Sequence, residues 1–321
     1  FIFLFSISIS NVISRNYYSD NSSYGQEAQY QKFFRVVKKL YAPEDNKNYN
    51  CEIENNLDER HKLRWPFQAL WSKSFIKISE VYGEKKIIYD FYKIFLGLIL
   101  FSDFLLIINI YKKEDFFKII FPCSSIFLIF SLLISSSVIS EINYTIVEYL
   151  FLCAALYFIK KNYFYPFLLL CCLAPLNRES GFIILLLYPL FYPKNIKNFI
   201  FLGIISSVIY FLANYQIIKC IFTPGFLITT NPNYESISDW SLFETSKILL
   251  NNFIFYFFII FLFWKKNINQ KKILIIFLIY SLSFIFAAPL NHSIVKLLYI
   301  PILMIYVAEF YKEKKVKFKN I

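Results

Sequence analysis

The sequence predicts an all-α polytopic transmembrane helix bundle with about 9–10 membrane segments. Three observations predict it. Of its 321 residues, 57% are hydrophobic, where a soluble domain has about 45–50%. Mean hydropathy is +0.49. Apolar runs also recur along the chain, separated by short loops rich in lysine. The abundance of Phe, Tyr, Ile, Asn and Lys reads as compositional bias of a genome and points to no function.

Residues 1–13, from Phe1 to Ile13, are apolar but shorter than the roughly 20 residues that a bilayer requires. The chain begins at Phe1 rather than Met, so this run is expected to be the tail of a truncated first transmembrane helix. A signal-peptide core is the alternative. Residues 14–87 are polar with aromatic interruptions and read as an extracytoplasmic loop. Within that loop Trp65, Phe67, Leu70, Trp71, Phe75 and Ile78 recur at near-helical spacing, with Lys62, Arg64, Lys73 and Lys77 among them. That pattern predicts an amphipathic helix lying in the membrane interface.

The bundle itself is expected over residues 88–311. Its apolar segments run at 88–111, 119–140, 146–159, 199–218, 248–264, 273–289 and 294–311. Two shorter runs, 164–176 and 181–192, are separated by Asn177, Arg178, Glu179 and Ser180. They predict either a pair of short helices or a re-entrant hairpin. Residues 312–321 form a basic tail.

Charge gives the orientation. One set of loops, with the tail, holds sixteen lysines, and the alternate short loops hold only Arg178, Lys219 and Lys247. The lysine-rich set, with the C-terminus, is therefore expected to be cytoplasmic. The 14–87 loop can still face outward, because long loops translocate largely regardless of charge. The net charge of +12 then reflects membrane topology rather than nucleic-acid binding. Four of the six cysteines lie inside apolar runs, where cysteine behaves as a small hydrophobe. Cys51 and Cys220 fall in outer loops, and a disulfide between them stays open. No Cys-x-x-Cys spacing marks a metal site. Asn-x-Ser/Thr triplets begin at Asn21, Asn143 and Asn291, as expected by chance in an Asn-rich chain.

Ionisable groups near membrane depth are costly and mark function. Arg178 and Glu179, wedged between the two short apolar runs on the outer side, are the sharpest example. An outward turn gains nothing from arginine under the positive-inside rule, and arginine suits bidentate phosphate binding. An ordinary polar turn is the competing reading. Other outer-face groups are Asp20, Glu27, Arg64, Asn143, Glu148, His292 and Lys296. Together they would place carboxylates, cations and aromatics on one side of a membrane, as a lipid-phosphate substrate needs.

The layout resembles the GT-C superfamily of polytopic glycosyltransferases. The stretches carrying the resemblance are Tyr18-Ser19-Asp20-Asn21-Ser22-Ser23-Tyr24 with Glu27, His61-Lys62-Leu63-Arg64-Trp65-Pro66, and Asn177-Arg178-Glu179-Ser180. The last outer turn, running into Lys296 and Pro301, fits as well. The acidic stretch is not an Asp-x-Asp, and Lys296 stands where arginine would fit better. The resemblance implies a sugar donor on a polyprenyl phosphate, used at an extracytoplasmic site of a bacterial inner membrane. The acceptor would be a glycan, lipid or protein. Asp20, or else Glu27, would be the catalytic base on the acceptor hydroxyl. Arg178, with Arg64 or Lys296, would bind the departing phosphate. Glu179 would orient Arg178, while Asn143 and His292 would line the substrate site. A divalent metal is compatible with the superfamily, but no ligand cluster in the sequence identifies one. The alternatives are an envelope-polysaccharide polymerase or ligase, a membrane transporter or flippase, and a non-catalytic scaffold.

Overall fold

The structure, a computed structural model, describes residues 1–18, 30–31, 34, 37–38, 65–110, 117, 121–122 and 142–215. Expected segments 248–264, 273–289 and 294–311, most of 119–140, the 219–247 loop and the 312–321 tail lie outside them. So do Cys51, Cys123 and Cys220. Among the described residues all regular structure is helical.

The first helix, α1, spans Ile2–Tyr18 and runs past the apolar stretch that ends at Ile13. No glycine or proline lies between residues 1 and 18, so nothing local stops it. Ser6, Ser10 and Ser14 recur at four-residue spacing on α1 and are fully buried. Two of these hydroxyls return to their own helix, Ser6 to the Ile2 carbonyl and Ser10 to the Ile7 carbonyl, each at 2.9 Å. A face of small residues lets a second helix approach closely.

The segment with near-helical aromatic spacing forms α2, Trp65–Tyr82. Trp71 stacks on Phe95 at 6.3 Å, and Phe75 meets the same ring edge-on at 5.5 Å. Gly83 ends α2 with a φ of 83°. Then come α3 (Glu84–Lys86), a π-helical turn (Ile87–Tyr92) and α4 (Lys93–Ile110), one continuous helical stretch. Residues Glu84–Asn109 of it are long and apolar enough to cross a membrane. The stretch starts before the apolar run because Glu84, Lys85 and Lys86 join the helix in sequence with it. Gly97 on α4 meets the small face of α1: an added Cβ would overlap Ile7 Cδ1 and stand 3.1 Å from Ser10 Oγ. Phe5, Phe104 and Phe121 close this contact with centroid distances of 5.1 to 6.0 Å.

Gly83 supplies a test of the α2–α3 junction. An added Cβ there meets nothing within 4 Å, so only backbone conformation opposes it. Gly83→Ala is expected to destabilise the chain by about 1–3 kcal/mol, because φ 83° with ψ 146° is a conformation that is open to glycine and strained for any other residue. Equilibrium unfolding in detergent measures it, and no change would mean that the junction relaxes freely.

The next helices are α5 (Ile142–Lys160), α6 (Phe164–Asn177), a 3-10 helix (Glu179–Leu186), α7 (Leu187–Phe191) and α8 (Ile196–Ala213). The pairs α1–α4, α4–α5, α5–α6 and α6–α8 pack in succession, and the core lies along those contacts. The two short apolar runs fold back on one another. Phe164 and Phe167, early in α6, pack on the Tyr188 ring of α7 at 6.2 and 6.0 Å. Tyr192 then donates to the Ile159 carbonyl at 2.9 Å, at the end of α5. The run that leaves α5 therefore returns to its starting level. Helix α8 also meets the length and hydropathy needed to cross a membrane. Only 17% of it is buried, and Ile196, Ile200, Ile204, Val208 and Leu212 are exposed.

Candidate functional site

The fold-back brings a polar cluster into an apolar setting. Pro175 lies inside α6 and removes one backbone donor near its end. The helix stops at Asn177. Arg178 is extended, with φ −161° and ψ 143°, and its carbonyl accepts the Gly181 amide at 2.8 Å. The 3-10 helix then starts at once and packs back on α6. Gly181 makes that approach feasible: an added Cβ would overlap the Ala174 carbonyl carbon and oxygen and stand 2.8 Å from the Pro175 nitrogen.

This turn points Arg178 inward rather than into an open loop. Arg178 is 4% exposed and Asn177 is fully buried. The guanidinium faces Glu148 of α5, with Nη1 3.8 Å from Oε2. Glu148 is 2% exposed, and its other oxygen accepts the Ser180 hydroxyl. A buried charge is tolerated when it is paired and hydrogen-bonded, as here. The pair is longer than a tight bidentate contact of about 2.7–2.9 Å.

Of the sequence-selected residues, the structure describes the side chains of Arg178 and Glu148. Glu179 opens the 3-10 helix and Asn143 lies in the first turn of α5, but the side chains of both lie outside the described residues. Asp20, Glu27, Arg64, His292 and Lys296 lie outside them altogether. The partner brought to Arg178 is Glu148. Its sequence signal is that it stands as the one charged residue within the apolar run 146–159. Among the described residues no three His, Cys, Asp or Glu side chains form a metal-ligating group.

A second polar group lies between α4 and α5. Asp103 of α4 is 1% exposed. Tyr149 and Cys153 of α5, both buried, interact with it electrostatically. Helix α5 thus carries Glu148 towards the fold-back and Tyr149 towards α4. Comparison with protein-family models, with curated proteins and with solved structures finds no match.

Proposed function

We propose that this chain is a polytopic membrane glycosyltransferase that moves a sugar from a polyprenyl-phosphate donor to an extracytoplasmic acceptor. The observation that carries the reading is the buried Arg178–Glu148–Ser180 cluster at the break between two short apolar helices. A fixed arginine in a low-dielectric site is suited to negative charge that develops on a departing phosphate. In this reading the acceptor oxygen bonds to the anomeric carbon as the carbon–phosphate-oxygen bond breaks. The acceptor proton passes to Asp20 or Glu27. Glu148 and Ser180 hold the guanidinium in place beforehand. The exposed apolar sides of α8 and the apolar stretch Glu84–Asn109 support a lipid setting.

The test is sugar transfer from labelled polyprenyl-phosphate sugars, in membranes holding the chain. Arg178→Ala is expected to lower transfer by about 100-fold or more, the loss typical of removing one group that stabilises developing charge. Arg178→Lys is expected to recover only part, because lysine lacks the planar fork. No turnover of any donor by folded wild-type protein would sink the reading. A transporter or flippase is the second reading, favoured by the buried carboxyl of Asp103 within the apolar stretch. It predicts substrate movement between the two sides of a sealed vesicle without bond cleavage.

A further inference from the structure

We propose that the groove at the α2–α3 junction binds the headgroup of an acidic phospholipid, at a site separate from the Arg178 cluster. Gly83, with φ 83° and ψ 146°, turns the chain between α2 and α3. At this corner Tyr30, Tyr82, Lys85, Lys86 and Tyr89 line a cavity of about 630 Å³.

The lining has the sign a phosphate needs. Glu84, the acidic group in it, is bound by Lys38 Nζ at 2.7 Å. Lys85 and Lys86 then leave the cavity net positive. Lys86 Nζ stands 5.7 Å from the centre of the Tyr82 ring, and that ring rests on Phe91 at 5.3 Å. Such a contact orients an ammonium while leaving it able to donate to an oxygen on its other side.

Tyrosines and lysines also gather at membrane boundaries without binding any particular lipid. Two further features select a lipid here. The cavity lies at the start of Glu84–Asn109, the stretch long and apolar enough to cross a membrane. The register of the helix is the second. Ile94, Leu98 and Leu105 are exposed along α4. In an unbroken α-helix they would sit about 80–120° around the axis from Lys86. The π-helical turn Ile87–Tyr92 lies between, and its wider winding takes up about one residue, or ~100°. The exposed apolar stripe therefore falls roughly in line beneath Lys86. A molecule with a phosphate at one end and acyl chains at the other satisfies the cavity and the stripe together. A soluble phosphate satisfies the cavity alone.

Native mass spectrometry of the full chain, released from micelles with added phosphatidylglycerol, tests this. One phosphatidylglycerol is expected to stay bound in preference to phosphatidylcholine with the same acyl chains. Lys85→Gln with Lys86→Gln is expected to weaken that binding about 30-fold, the effect of two lysines at an anionic surface. Both side chains are exposed, so this double variant removes charge without opening the core. Lys161→Gln with Lys194→Gln, also at exposed positions, removes the same charge elsewhere and should leave the binding unchanged. Equal losses in the two double variants would overturn the proposal, because charge would then act without a site. Equal retention of the two lipids would overturn it as well, leaving a groove that reads only acyl chains. Displacement of the lipid by inorganic phosphate at matching concentration would overturn it in favour of a soluble ligand. None of these outcomes depends on sugar transfer, which tests Arg178 instead.

Discussion

Glu148→Ala is expected to destabilise the folded chain by about 3–5 kcal/mol, the penalty for leaving one member of a buried ion pair behind. Glu148 is 2% exposed and Arg178 is 4% exposed, so water cannot replace the lost partner. Ser180 loses its acceptor at the same time, adding to the loss. The double variant Glu148→Leu with Arg178→Met is expected to lose less than either single change, because apolar groups of similar volume remove both charges together. Equilibrium unfolding in mixed detergent, followed by tryptophan fluorescence, compares the double variant with Glu148→Ala, Glu148→Leu and Arg178→Met. If each single change costs no more than about 1 kcal/mol, the pair behaves as a surface salt bridge and its burial is not maintained. A further variant separates structure from chemistry. Glu148→Asp keeps the charge on a shorter arm, so a folded but poorly active Glu148→Asp protein would make Glu148 a positioning residue for Arg178.

Gly181→Ala is the second large effect. Most core methyl groups find room by displacing a flexible side chain. Here the atoms met are the Ala174 carbonyl and the Pro175 nitrogen, which belong to the backbone of α6. Overpacking of this sort costs about 1–3 kcal/mol, and an immovable neighbour places it at the upper end. The strain is also local to the site, since Gly181 donates its amide to the Arg178 carbonyl at 2.8 Å. Pushing the 3-10 helix away from α6 moves Ser180 from Glu148 and turns the guanidinium. Sugar transfer should therefore fall with stability. Gly203→Ala supplies the control: nothing lies within 4 Å of its added Cβ, and it sits inside α8. It is expected to gain up to about 1 kcal/mol, the helix propensity difference between the two residues. Equal losses in both variants would show that Gly181 matters through backbone freedom and not through close approach.

Several elements were legible in the sequence. The near-helical recurrence of Trp71, Phe75 and Ile78 is met by α2. The apolar runs beginning at 88 and 199 coincide closely with the two stretches able to cross a membrane. The break at Asn177–Ser180 is where the chain leaves helix, because Pro175 and Gly181 bracket it. The choice between paired short helices and a hairpin was not legible. It rests on Tyr188 and Tyr192 finding Phe164, Phe167 and Ile159, which are contacts between separate elements. Helix α1 runs on to Tyr18, past the apolar stretch that ends at Ile13. Hydrogen bonding along the backbone continues through polar residues when no breaker intervenes.

What the sequence by itself determined is local: among the described residues, which stretches are helical, where they break, and that Arg178 and Glu148 are charges set beside or within apolar runs. Helical periodicity and residue chemistry are properties of near neighbours, so they can be read along the chain. The tertiary structure alone decided the partners. It joined Arg178 to Glu148, and it brought Asp103 to Tyr149 and Cys153. Neither pairing follows from spacing, because each depends on how α5 packs between α4 and α6 and on which face it turns to each. A buried charge demands compensation wherever it lies, but only packing geometry selects the group that provides it.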